Sequence, residues 1–116
     1  MGIRVESIDG ITVLTPEGDM DFTTLPAFEA RVAGLLANGA RVMVWDLDAV
    51  GILPSTACGF LLQTAKRLGA VGGRMALACG HPRVRATLRT MGVLELFRTY
   101  PTRADALAGM AGDSSA

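Results

Sequence analysis

No stretch of this sequence approaches the run of about 18 uncharged apolar residues that a membrane-spanning helix requires. Its first ten residues, MGIRVESIDG, have neither the basic nor the apolar region of a secretory signal. A cytoplasmic location with no membrane partner is therefore expected. Cysteine is scarce: Cys58 and Cys79 are the two present, too few for a disulfide framework. Both are expected to stay reduced and to pack as small hydrophobes. Histidine is scarcer still, with His81 alone and no C-x-x-C or H-x-x-x-H spacing, whereas a structural zinc wants four ligands. No metal and no cofactor are expected. There is also no excess charge of either sign: eleven Lys and Arg balance eleven Asp and Glu. That balance argues against a chain held to nucleic acid by neutralising phosphates.

What is present is apolar. Half of the 116 residues are hydrophobic and 19% are charged, which excludes a disordered polar segment and leaves room for one domain. Roughly two thirds of the extended surface of a chain this long can be buried, so no staple is needed. Residues 1–110 are expected to form that domain, with 111–116 as a flexible tail. The charges are unevenly spread: residues 1–50 carry eight acids and three bases, and residues 51–116 eight bases and three acids. Solvated faces of opposite sign explain such blocks.

Ile3, Val5, Ile11 and Val13 alternate with polar residues on either side of Asp9-Gly10, a pair suited to a type I′ turn, so the chain opens as a β-hairpin. Gly18 closes its second strand. The period then changes, with Phe28, Val32, Leu35 and Leu36 marking an amphipathic helix from about Thr24 to Asn38. Thr23 or Thr24 can cap it, Pro26 is tolerable in its first turn, and Asn38-Gly39 supplies a left-handed stop. Residues 41–47 (RVMVWDL) suit a central strand covered on both faces. A second helix follows over Ser55–Leu68, its stripe formed by Ala57, Leu61, Thr64, Ala65 and Leu68, with Gly69 beyond its end. Arg74–Cys79 is a fourth strand, and Pro82 opens a third helix that Gly92 ends. Leu96–Tyr100 and Thr102–Met110 complete the series as a strand and a helix capped by Thr102. Strand and helix alternate after residue 18, which predicts an α/β fold: a mixed four- to five-stranded sheet packed against about four helices, with Trp45 or Met43 buried.

Two segments could carry chemistry. Residues 50–59 (VGILPSTACG) place Ser55 and Thr56 where the central strand passes into the second helix. Either hydroxyl could cap that helix. Alternatively, Ser55 is a phosphoacceptor presented on a loop at the C-terminal end of a parallel strand, where α/β folds place their sites. The second segment, Cys79 to Arg85, has the C-x₅-R spacing of cysteine-dependent phosphatases. Pro82 removes one N–H from the phosphate cradle, Gly80 is its single glycine, and no nearby Asp offers itself as general acid. Cys79 and Arg85 are therefore expected not to be catalytic. Ser55 lies in P-S-T-A-C rather than G-x-S-x-G, which argues against a serine hydrolase. Asp19, Asp21, Asp46 and Asp48 fall at strand ends, where acids are commonly exposed loop residues rather than Mg²⁺ ligands. No enzyme activity is expected.

The order of these pieces resembles the STAS domain, in the single-domain form of bacterial anti-sigma factor antagonists. The likeness spans Ile3 to about Gly109. GDMD at 18–21 is similar to the family's G-E-L-D, VMVWDL at 42–47 to its strand ending in D-L, and 52–62 fills the place of its D-S-S-G-L-G segment. Residues 73–78, 82–84, Gly92-Val93 and 104–107 follow in family order. The resemblance implies that Ser55 is the serine phosphorylated by a serine-kinase anti-sigma factor, and that a serine phosphatase acts on the phosphorylated form. It implies docking through Asp19, Asp21, Thr23, Thr24, Pro54, Thr56, Cys58 and Gly59. Pro54 stands where the family has Asp, and Ala57-Cys58-Gly59 where it has G-L-G. That departure leaves an alternative: a non-phosphorylated interaction module in a larger sensory or transport-linked assembly.

Overall fold

The computed structural model describes residues 2–112. Asp9 and Gly10 adopt φ of +52° and +81°, the left-handed pair that a type I′ turn demands, and join β1 (Ile3–Ile8) to β2 (Ile11–Pro16). The chain then alternates through α1 (Leu25–Ala37), β3 (Val42–Asp46), α2 (Ser55–Ala70), β4 (Arg74–Ala78), α3 (Pro82–Thr90), β5 (Arg98–Tyr100) and α4 (Arg103–Gly112). The sheet runs in the order β1-β2-β3-β4-β5, antiparallel at β1/β2 and parallel thereafter.

Because the strands advance in one direction and parallel crossovers are right-handed, α1, α2 and α3 fall on one face of the sheet. Phe28 and Val32 of α1, Leu61 and Leu68 of α2, and Val84 and Leu88 of α3 close that face over Met43, Trp45 and Leu77. Met43 and Trp45 are both fully buried. Edge-on contacts from Phe28 (6.5 Å between centroids) and Phe60 (5.8 Å) clamp the indole between α1 and α2. The opposite face has α4 alone, whose Ala106 and Met110 cover Val13, Val44, Ala76 and Ala78. Arg103, at the start of α4, donates to Asp46 Oδ2 (2.9 Å), Glu6 Oε2 (2.8 Å) and Thr15 Oγ1 (2.7 Å), so one guanidinium joins three strands.

Several boundaries differ from the sequence-based expectation. Gly69 lies inside α2, which continues to Ala70, and the left-handed stop is supplied by Gly72 at φ +81°. Gly73 follows because a Cβ there would sit 2.2 Å from the Arg41 carbonyl. The expected strand from Leu96 shortens to Arg98–Tyr100, preceded by a 3₁₀ turn over Leu94–Leu96. Phe97 is the buried anchor there, while Leu96 faces solvent. Thr102 caps α4 as expected, accepting from the Asp105 N–H at 3.1 Å. That helix carries two residues of the expected tail, and 113–116 lie outside the described residues.

Candidate functional site

The parallel strands β2 and β3 both end at one rim of the sheet, so the loops that follow them, 17–24 and 47–54, lie side by side. A single carboxylate holds them together. Asp19 Oδ1 accepts from the backbone N–H groups of Gly51 and Ile52, each at 3.0 Å, across more than thirty residues of sequence. Gly51 permits the approach, since a Cβ there would already stand 3.3 Å from that oxygen.

Asp21 serves its own loop. Its Oδ1 accepts from the Thr23 hydroxyl and from the N–H groups of Thr23 (3.0 Å) and Thr24 (3.2 Å). The Thr23 hydroxyl foremost, with these N–H groups beside it, holds the Asp21 carboxyl below its ordinary range against a smaller opposing effect of burial. Thr24 occupies the cap of α1 but makes no side-chain capping bond; its Oγ1 accepts from the Asp21 N–H at 3.1 Å instead. The two residues thus close a reciprocal turn that starts the helix.

At the second loop the cap position of α2 belongs to Pro54, whose carbonyl accepts from Ala57 and Cys58 N–H at 3.0 and 3.1 Å. Neither Ser55 nor Thr56 caps the helix. Ser55 is the first helical residue, one position too late for its side chain to fold back onto free N–H groups, and it is exposed, its hydroxyl making no hydrogen bond among the described residues. Pro54 thus holds the cap position, and Ser55 follows it as an exposed first-turn residue.

Two residues that sequence patterning did not single out complete the surface. Phe22, on the first loop, is 78% exposed, and Ile52, on the second, is 59% exposed. Phe22 stands alone between Asp21 and Thr23, and Ile52 lies in the apolar run 50–54, so neither gives a periodic signal of exposure; Asp19 ties together the loops that carry them. Alongside, a groove of about 400 Å³ runs between α1 and α2, lined by Leu25, Glu29, Thr56, Phe60, Gln63 and Arg67. Gly59 also lines this groove; Pro54 is half-buried at the start of α2. Cys58 does not belong to the surface. It is 1% exposed and packs in the core, because it falls on the buried stripe of α2 beside Ala57 and Leu61.

Cys79 is fully buried, and that burial, above all, pushes its thiol up despite the opposing charge of Arg85. A thiolate nucleophile needs the reverse. Arg85 donates to the Cys79 carbonyl (3.3 Å) and the Cys79 N–H to the Tyr100 carbonyl (2.8 Å), so the C-x₅-R segment is spent on packing β4 against β5. Gly80 serves the same end: a Cβ there would lie 2.6 Å from the Pro101 carbonyl. The acids at the rim are likewise divided among separate tasks, Asp46 with Arg103 and Asp19 with the second loop. Among the described residues no three His, Cys, Asp or Glu side chains converge as metal ligands, and no helix is long and apolar enough to cross a membrane.

Comparison with known proteins is consistent with this geometry. Residues 2–106 match the profile of the STAS domain family. Over 110 residues the chain is 30% identical to the anti-sigma-F factor antagonist RsfB of Mycobacterium tuberculosis (strain ATCC 25618 / H37Rv), spanning 95% of this chain and 89% of that one. Among solved structures, an anti-sigma factor antagonist from Mycobacterium paratuberculosis superposes with a TM-score of 0.86 at 31% identity, covering 95% and 93% of the two chains. The Bacillus cell fate determinant SpoIIAA, in its phosphorylated form, superposes at 0.72 with 20% identity over 92% and 97%, a likeness of fold alone.

Proposed function

The chain belongs to the STAS domain family, and from that membership we propose that it acts as an anti-sigma factor antagonist. In this reading the unphosphorylated protein binds a serine-kinase anti-sigma factor and frees the sigma factor. Phosphorylation of Ser55 ends the binding, and a serine phosphatase restores it. The relatives named as antagonists support the role. The observation that carries the switch is the position of Ser55: exposed, unbonded, and at the first turn of α2 beside the joined loops.

A phosphate adds about −1.5 to −2 charges and three acceptor oxygens. On the protein itself that charge is tolerated, because the N–H groups of Ser55 and Thr56 have no helical partner and the helix dipole favours an anion there by about 0.3–1 kcal/mol. Under a docked partner the same charge must be desolvated between Phe22, Ile52 and the acids of the first loop. Each 1.4 kcal/mol lost is tenfold in affinity. Pro54 is compatible with this geometry, since its extended backbone (φ −69°, ψ 166°) suits the cap position and its carbonyl accepts the first helical hydrogen bonds.

The test pairs the protein with a serine-kinase anti-sigma factor of its host and ATP. The phosphate is expected on Ser55, Ser55→Ala is expected to bind without accepting it, and Ser55→Asp to lose at least about tenfold in affinity while staying folded. Label on Thr56, or no label together with normal binding by Ser55→Asp, sinks the phosphoswitch and leaves a non-phosphorylated interaction module.

A further inference from the structure

The two edges of the sheet are treated differently. β5 has three residues and is cut off at once by Pro101, the usual means of blunting an edge. β1 is a six-residue outer strand without proline, and its pairing with β2 is regular from Ile3↔Pro16 to Ile8↔Ile11. A two-residue turn makes Ile8 and Ile11 a hydrogen-bonded pair, so even-numbered residues of β1 bond inward to β2. The Glu17 N–H bond to the Gly2 carbonyl at 2.9 Å has the same phase. Hence the N–H and C=O groups of Ile3, Val5 and Ser7 face outward along the open edge.

We propose that this edge pairs antiparallel with β1 of a second copy of the chain about a two-fold axis through Val5, making one continuous sheet. The proposal does not rest on the phosphoswitch. Phase and sequence select this register. Centring on Arg4 or Glu6 would keep the phase but set Arg4 against Arg4, or Glu6 against Glu6, at a closely spaced non-bonded pair, and centring on Ile3 or Ser7 would leave half the strand unpaired. With Val5 on the axis, Val5 meets Val5, and Ile3 meets Ser7, as hydrogen-bonded pairs. Arg4 then stands opposite Glu6 of the second copy at a non-bonded pair, where side chains approach most closely and opposite charges stabilise.

The charges are available for this. Arg4 is mostly exposed and has only a loose 3.8 Å contact with Glu17. Arg103 takes Oε2 of Glu6, and Oε1 has no hydrogen bond or ion pair among the described residues. Val5 and Ile3 are half-buried against the main core, so the new contact on that face extends existing apolar packing. A strand-to-strand interface buries less than the standard interface of about 1,600 Å², which makes the dimer reversible.

Sedimentation equilibrium of the whole chain from about 10 μM to about 1 mM should show a monomer–dimer equilibrium. Arg4→Glu places carboxylate opposite carboxylate and should abolish it. Val5→Pro, which removes an outward N–H and leaves the β1/β2 ladder intact, should do the same, with circular dichroism checking that both variants fold. Amide exchange gives a second readout: the Ile3, Val5 and Ser7 N–H groups should become protected as concentration rises, whereas Arg4 and Glu6 are protected throughout. A chain that stays monomeric over the range overturns the proposal, as does a dimer that both variants retain.

Discussion

The two faces of the sheet are held by different physics. Three helices cover one face, and its cohesion is apolar: Trp45, Met43, Leu61 and Leu77 are all fully buried there. One short helix covers the other, where small side chains such as Ala76 and Ala78 leave little area to bury, and a charged cluster at Arg103 closes the rim. The difference teaches where stability and positioning reside. The first face supplies the free energy of folding, while the second fixes the end of β3, from which the Ser55 loop departs.

Truncation on the apolar face should cost most. Trp45→Ala removes the indole clamped by Phe28 and Phe60 and is expected to destabilise by about 3–5 kcal/mol in urea titration. A smaller loss there would mean that the two faces share the load. Arg103→Ala should cost less, about 2 kcal/mol, because the guanidinium is partly solvated, although Asp46, with a side chain only 10% exposed, loses its partner. Its distinguishing sign is salt: high ionic strength should shrink the gap from wild type for Arg103→Ala and leave that for Trp45→Ala unchanged.

Asp19→Ala comes next, at about 1–2 kcal/mol for two lost N–H to carboxylate hydrogen bonds. Amide exchange at Gly51 and Ile52 should accelerate while the sheet stays protected. Ser55→Asp should shift stability by no more than about 0.5 kcal/mol, since nothing in the fold uses the hydroxyl. Smallest is the acid response of Asp21. Its carboxyl is held below the ordinary range, so its contribution is complete above the unfolded value and is lost as pH falls through the lowered folded one. Asp21→Asn keeps an acceptor for Thr23 and Thr24 and should flatten that part of the acid titration curve.

Much of the fold was legible because local signals agreed with the global outcome. Asp9-Gly10 specified the hairpin, Asn38-Gly39 the end of α1, and the apolar run around Trp45 the central strand. The short β5 was less legible: Leu96 and Phe97 read as one strand, yet Phe97 alone is drawn into the core. At the site, Ser55 stood out by position and Asp19 and Asp21 by resemblance. What Asp19 does was hidden, because its partners are backbone groups far along the chain. Cys58 was misplaced on the surface because a site motif is read linearly, whereas α2 buries one stripe of it. Arg103 gave no signal at all, since its partners belong to β1, β2 and β3.

Trp45 is the single tryptophan of the chain, and its place between α1 and α2 makes it a built-in optical reporter. Sealed from water, with no acceptor for its indole N–H among the described residues, it should emit at short wavelength and resist quenching by iodide in the native state. Both helices that touch it also frame the groove beside Ser55. A docked protein that shifts either helix should therefore change emission intensity or lifetime without any added dye.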